Sequence, residues 1–247
     1  MSPYLLIVTA VKEEAALLAA TIESPRSVRA GQREMTAGVL VDTPVNLLVA
    51  GPGQVNTVQA LTSAIEWQRP AAILQVGCAG GFKQAGINIG DIAIASEEID
   101  AHLGLEPERP TEIPVDPLPF SIGCYGGFEI KNRYAIGVEL TRKAQSVISR
   151  KMAGMNITVN LGPFLTVSTI TASDRRAEQY FDAYQVCMES MEGAGAAHVA
   201  LHYGIPFLEI RAAANVVGKR ERNHWNLPLA WERSQAAVMT LLKGGIF

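Results

Sequence analysis

Cysteine is scarce in this chain: Cys78, Cys124 and Cys187 are an odd number with no Cys-x-x-Cys spacing, so neither a disulfide framework nor a zinc site is suggested, and reduced thiols fit the cytoplasm. Charge is scarce too. Charged residues make up 18% of the 247 and sum to −3 with no dense basic stripe, which removes the electrostatic ground for binding nucleic acid. Arg175-Arg176 and Lys219-Arg220-Glu221-Arg222 are short clusters whose plain reading is solvated helix ends or loops; contact with an anionic substrate group is the sharper one. The first residues, an apolar run after Met-Ser-Pro with acids at Glu13 and Glu14, lack the basic segment and cleavage site of a signal peptide. Long apolar runs are also missing. Residues 43–65 carry no charge, but Gly51-Pro52-Gly53, Gln54, Asn56 and Gln59 interrupt them and argue against a membrane span. What remains is a soluble protein with neither nucleic acid nor membrane as a partner.

Apolar and small residues are plentiful. With 48% hydrophobic residues and 22 glycines, the chain can bury a sizeable core and pack helices closely on a sheet. Short apolar runs predict strands over 4–8, near Val39, and over 46–49, 71–76, 91–95, 164–168 and 207–210. Helical periodicity predicts helices over 12–22, 56–67, 139–150, 193–203 and 229–242. Strands interleaved with helices imply one α/β domain over 1–247, its largely parallel sheet covered on both faces. In the last helix Ala230, Ser234, Ala237, Val238 and Leu241 share one face, suited to packing along the sheet. Over 100–128 the pattern fails, because Pro107, Pro110, Pro114, Pro117 and Pro119 lie too close together for a helix. Leu118, Phe120, Tyr125 and Phe128 would anchor that stretch as an ordered, functional loop.

Four motifs bear on chemistry. Thr9-Ala10-Val11-Lys12-Glu13-Glu14 closes the first strand and opens its helix, where open α/β sheets place ligands, although acids in a first turn also complement the helix dipole. Gly51-Pro-Gly-Gln-Val-Asn56 lacks the third glycine of a dinucleotide fingerprint; it excludes NAD and reads as a tight strand-to-helix turn. Val76-Gly-Cys-Ala-Gly-Gly81 ends a buried strand, and its glycines would let a flat base or ribose approach backbone amides. Neither neighbour of Cys78 offers a base or cation, so its thiol reads as a small buried side chain and not a nucleophile.

The fourth motif, residues 188–218, is the most informative. Glu192 stands at the mouth of a small-residue helix, and Pro206 opens an apolar strand running toward Asn215, so an acid and a polar strand end would face one crevice able to hold a ribose and a base. His198 and His202 lie one helical turn apart, but no matching Asp, Glu or Cys set completes a metal site, and packing is the better reading. Neither a metal nor a cofactor is expected.

These motifs resemble the nucleoside phosphorylase and nucleosidase superfamily over about 5–242, clearly at the motifs and weakly over 100–161, and within it the futalosine hydrolases of menaquinone synthesis. The resemblance implies a three-layer α/β/α sandwich with a mixed, mostly parallel twisted central sheet. It also assigns roles. Glu14, ahead of Leu17-Leu18, falls on the acid that activates water. Met191 and Glu192 fall on the pair that grips the ribose, where a carboxylate accepts from sugar hydroxyls and stabilises developing positive charge; Glu189 is a rival acid. Cys78, Ala79 and Gly80 line the substrate, Cys78 replacing a hydroxyl residue. Thr169-Ile170-Thr171-Ala172 lies near where nucleosidases offer a Phe to adenine, so either Ile170 packs on the base or Phe128 or Trp225 replaces the missing ring.

Asn215 departs from the Asp of the methylthioadenosine nucleosidases. An amide cannot be a general acid, but it can donate to the 6-oxo oxygen or an imidazole nitrogen of a base such as hypoxanthine, where a carboxylate would repel that oxygen. The plainer reading is an Asn turning a loop in left-handed conformation. Superfamily phosphorylases often carry an Arg where this chain has Gln75, and a glycine-rich phosphate turn where it has Ala10-Val11-Lys12, which favours water over phosphate. The expectation is cofactor-free hydrolysis of the N-ribosidic bond of futalosine to hypoxanthine and dehypoxanthine futalosine. It would be carried out by a homodimer or higher homo-oligomer whose 100–128 loop closes over the substrate tail. The competitors are a methylthioadenosine or aminofutalosine nucleosidase, a purine nucleoside phosphorylase, and a nucleoside-binding module without catalysis.

Overall fold

The computed structural model describes residues 3–108 and 115–247. Its first strand, β1 (Leu5–Thr9), is buried throughout, because it runs in the middle of a sheet between two parallel neighbours; Leu5 and Ile7 face one core and Leu6 and Val8 the other. Helix α1 (Lys12–Thr21) is followed by an antiparallel meander of β2 (Glu23–Ala30), β3 (Arg33–Leu40) and β4 (Thr43–Val49). Then come α2 (Gln54–Trp67), β5 (Ala72–Gly81) and β6 (Ile92–Asp100). A hairpin of β7 (Gly123–Tyr125) and β8 (Phe128–Ile130) leads to β9 (Arg133–Ala135), α3 (Val138–Met152) and β10 (Val159–Thr166). The chain closes with α4 (Asp174–Tyr184), β11 (Met188–Ser190), α5 (Gly193–Tyr203), β12 (Phe207–Val216) and α6 (Leu227–Lys243).

The main sheet runs β11-β10-β6-β12-β5-β1-β4-β3-β2 with β9 beside β6, a mixed sheet whose middle, β12-β5-β1-β4, is parallel. Helices α1, α3 and α6 bury Ala15, Leu18, Ile148 and Leu241 against one face; α2 and α5 bury Leu61, Ile65 and Val199 against the other. The three-layer α/β/α architecture expected from the sequence is the one observed. Helices α2 and α5 approach closely at Gly195, where a Cβ would meet Val58 Cγ2 at 3.1 Å and Gln54 Cβ at 3.3 Å. One feature lies outside the expectation. Strand β11 pairs parallel with β10 and antiparallel with β5, so β5, β12, β6, β10 and β11 close into a ring.

Several boundaries differ from the periodicity reading. Strand β5 continues through Gly77-Cys-Ala-Gly-Gly81, which read as its end, because hydrogen-bonded partners on both sides outweigh glycine's weak strand preference. Strand β2 was not foreseen. It is a polar, mostly exposed edge carrying Pro25 and three charged residues, the composition by which edges avoid further pairing. Helix α4, also unforeseen, buries only Ala177 and Tyr180 and is started by Ser173, whose Oγ accepts from the Arg176 amide at 3.3 Å. In the 100–128 stretch no helix forms among the described residues; Leu105 and Asp116 form an antiparallel bridge before the β7–β8 hairpin. Pro110, Pro114 and the side chain of Phe128 lie outside the described residues. No helix among those described is long and apolar enough to cross a membrane.

Candidate active site

Strands β1, β5 and β12 run parallel side by side, so their carboxyl ends open on one edge of the sheet, where such sheets hold ligands. Strand β11, running against β5, delivers its end and the mouth of α5 to the same edge. The result is one cleft that gathers all nine residues singled out by sequence: Glu14, Cys78, Ala79, Gly80, Ile170, Met191, Glu192, Asn215 and Trp225.

Glu14 is buried at the start of α1. Its Oε1 accepts from the Cys78 amide at 2.8 Å, and its Oε2 accepts from the Ala10 and Val11 amides at 2.9 and 3.3 Å. The helix-start role and the cleft role therefore coincide, since Val11 is the N-cap and Cys78 belongs to the glycine motif of β5. That motif leaves no alternative at Gly77, where a Cβ would lie 2.5 Å from Glu14 Oε1 and 2.8 Å from Arg211 Nη1.

Glu192 is 4% exposed and is held from three sides. The Gly53 amide donates to Oε1 at 2.8 Å, while Arg211 Nη2 at 3.1 Å and the Met191 amide at 3.3 Å donate to Oε2. Gly53, at φ +89° in the Gly51-Pro-Gly turn, thus does more than turn the chain: it aims an amide across the cleft.

Sequence reasoning missed Arg211. It is 1% exposed, donates from Nε to Glu209 Oε1 at 2.8 Å, from Nη2 to Glu192, and from Nη1 to the Cys78 carbonyl at 3.2 Å. Burial opposes its charge, but Glu209, Glu192 and Glu14 hold its pKa well above the ordinary arginine value. A signal was present: Glu209 and Arg211 stand two apart, on one face of an otherwise apolar strand, and buried charges occur in pairs.

The remaining residues arrange around this core. Asn215 lies on β12 just past an irregularity between Ala213 and Asn215, not in left-handed conformation, and its Nδ2 donates to the Val216 carbonyl at 2.9 Å. Cys78 has its thiol pushed up to about 12 by burial first and the Glu14 charge second, which keeps it protonated and unreactive. Glu189, the rival acid, also lines the cleft; it is tied to Thr171 through the Thr171 amide and hydroxyl, and burial raises its pKa. Ile170 sits at the open side, 46% exposed. Trp225 lines the cleft with the Arg220 guanidinium 4.8 Å above its ring, and Lys219 and Arg220 line it too.

Other expectations fall elsewhere. Arg175 and Arg176 are exposed in the first turn of α4. Gln75 is fully buried and does not line the cleft. His198 and His202 both contact the Tyr125 hydroxyl, at 3.2 Å each, and no group of three metal-ligating side chains occurs among the described residues. No described residue between 100 and 128 lines the cleft.

Comparison with known proteins identifies the family and the fold. The model of a family described as the Phosphorylase superfamily matches residues 4–243. A futalosine hydrolase of Acidothermus cellulolyticus is 30% identical over 243 residues, 98% of this chain and 91% of that protein. A 5′-methylthioadenosine/S-adenosylhomocysteine nucleosidase of Bacillus cytotoxicus is 27% identical over 217 residues, 86% of each chain. Among solved structures, the nucleosidase of that name from Neisseria meningitidis, in complex with methylthio-immucillin-A, superposes with a TM-score of 0.82 at 21% identity, covering 98% of this chain and all of that one. The one from Colwellia psychrerythraea, in complex with adenine, gives 0.82 at 23% identity, covering 98% and 96%.

Proposed function

The chain belongs to the Phosphorylase superfamily, and on that premise we propose that it hydrolyses the N-ribosidic bond of futalosine, releasing hypoxanthine. Relatives of both kinds are enzymes of the nucleosidase type, and so is this chain. The observation that carries the reading is the pair of buried carboxylates, Glu14 and Glu192, set in one cleft with Asn215 on the strand end beside them.

Each group keeps capacity for the reaction. Glu192 accepts one bond on Oε1 and two on Oε2, so Oε1 retains a lone pair for a ribose hydroxyl, and its charge faces the sugar as the glycosidic bond loosens. Met191 packs beside it. Glu14 Oε1, with a single amide donor, retains a lone pair to orient and deprotonate water. Asn215 spends one N–H on Val216 and keeps the other, with Oδ1, for the departing purine. Cys78, Ala79 and Gly80 form the floor, and Ile170 and Trp225 supply the apolar walls. Water is favoured over phosphate because the one cation deep in the described cleft, Arg211, is already neutralised by Glu192 and Glu209. No cofactor enters, and a homo-oligomer in the cytoplasm is the setting we propose.

The test is release of free base from futalosine, aminofutalosine, inosine and methylthioadenosine, each with and without phosphate. Phosphate-independent hypoxanthine release from futalosine alone is the expected outcome. Adenine release would instead favour the methylthioadenosine-type reading, which the Bacillus relative supports. Asn215→Asp provides an internal check: a carboxylate facing the 6-oxo group should lower kcat/KM for futalosine by roughly 10-fold or more and shift preference toward adenine nucleosides. An unchanged ratio of the two kcat/KM values would remove Asn215 from base selection.

A further inference from the structure

Behind Glu192, the ring of strands encloses two carboxyls that the cleft chemistry does not use. Glu98 on β6 and Glu209 on β12 are both fully buried. Glu98 Oε2 accepts from Thr166 Oγ1 at 2.7 Å, and that hydroxyl oxygen accepts from the Ala194 amide at 2.8 Å, at the start of α5. Glu209 Oε1 accepts from Arg211. The other two oxygens, Glu98 Oε1 and Glu209 Oε2, find no donor among the described residues. Both press on one glycine: a Cβ on Gly193 would lie 2.4 Å from the first and 2.5 Å from the second. Ionised carboxylates are acceptors only, so two of them cannot satisfy each other, and their like charges repel where burial gives little screening. A single proton between them removes both objections at once.

We propose that Glu98 carries that proton at neutral pH, donates it from Oε1 to Glu209 Oε2, and so makes the pair a positioning device that fixes Arg211 against Glu192. The groups facing the pair support the assignment. On β12 stand Arg211 and Glu209 itself; Glu192 stands at the mouth of α5, Glu14 of α1 lies beyond Arg211, and the Cys187 thiol adjoins Glu98 with its own pKa pushed up by burial. Without the proton, four buried carboxylates would face one guanidinium. Burial raises the Glu98 pKa well above its ordinary value, and the Glu209 charge raises it further; Glu209 is raised by burial but held down by Arg211, so Glu98 is the protonated partner. The catalytic consequence rests on Glu192 holding the ribose; the shared proton does not.

Glu98→Gln keeps an N–H donor facing Glu209 and cannot ionise. In the whole protein at pH 7, infrared difference spectra between wild type and this variant should show the C=O stretch of one protonated carboxyl, absent from the variant. The pH dependence of Tm gives a second reading. Because the folded-state pKa of Glu98 lies above 4.5, its contribution is fully present below that value and is lost as pH rises through the raised one; Glu98→Gln should flatten that loss. On whichever nucleoside is hydrolysed, Glu98→Gln should retain kcat/KM within about threefold, whereas Glu98→Leu, which leaves Glu209 Oε2 without a donor, should lower it about tenfold or more. No missing carboxyl band in Glu98→Gln, or an unaltered Tm slope, overturns the shared proton. Full activity in Glu98→Leu overturns the positioning role. The band and the slope are read without substrate, so inactivity toward futalosine leaves them standing and counts against the substrate reading alone.

Discussion

Replacing Glu14 with Gln should lower kcat for base release by about 10²- to 10⁴-fold, the range removed when a positioned general base is lost. The carboxylate sits at the junction of β1, α1 and the glycine motif of β5, with three backbone amides defining its orientation. An amide in the same place has one oxygen instead of two, so whichever way it turns, an NH₂ group meets a backbone N–H. That mismatch costs about 1–3 kcal/mol of stability by itself, so Tm must be measured beside the rate. The informative pattern is a fall in kcat with substrate affinity nearly intact, since water activation matters only after binding. Glu13→Gln, an exposed neighbour in the same helical turn, should change neither. If Glu14→Gln keeps a tenth or more of the wild-type kcat, water is activated by another group, and Glu189 becomes the acid to test.

Removing Arg211 should have the largest effect on stability. Arg211→Met deletes the guanidinium that pairs with both Glu192 and Glu209, each almost fully buried, and breaking a buried ion pair from one side costs about 3–5 kcal/mol. Denaturant melts at neutral pH should show this as a lower midpoint with little change in slope. The compensated variant Arg211→Met, Glu209→Leu, Glu192→Gln should recover part of the loss, because it removes both unpaired charges, while the amide at 192 still sets an NH₂ group against the Gly53 or Met191 N–H at about 1–3 kcal/mol. It should recover no activity, because the carboxylate proposed to hold the ribose is gone. A cost under about 1 kcal/mol for Arg211→Met would mean the carboxylates are neutralised by protons instead, and the electrostatic account of the cleft would fail.

Sequence reasoning reached different depths in different parts of the chain. The middle of the sheet was legible because β1, β5 and β12 are apolar runs bounded by turn residues, α5 is a run of small helix-compatible residues, and α6 carries a one-sided apolar face. Strand β2 and helix α4 were not, since a polar edge and a helix burying two residues leave almost no periodic trace. Strand β11 is three residues long, and what defines it is pairing with two distant strands. The cleft residues were legible chiefly through the superfamily resemblance: position at a strand end or helix mouth singles out Glu14, Glu192 and Asn215 only as candidates, and Ile170 and Trp225 stand in loops between elements. Gly53 and Glu98 were not, because their partners Glu192 and Glu209 lie more than a hundred residues away; the Glu209–Arg211 pair did leave a local trace, two buried charges on one face of an apolar strand, but not its tie to Glu192.

Strand β12, the last of the described strands, is inserted between β5 and β6, which precede it by over a hundred residues. During synthesis those two strands wait with open edges, and such edges invite pairing with other chains. The cleft draws on β1, β5, β11 and β12 together, so a nascent or partly opened chain has nowhere to seat a nucleoside. Occupancy of the cleft is then possible only once β12 is in place, and the nucleoside proposed to bind there would act as a latch on that late strand.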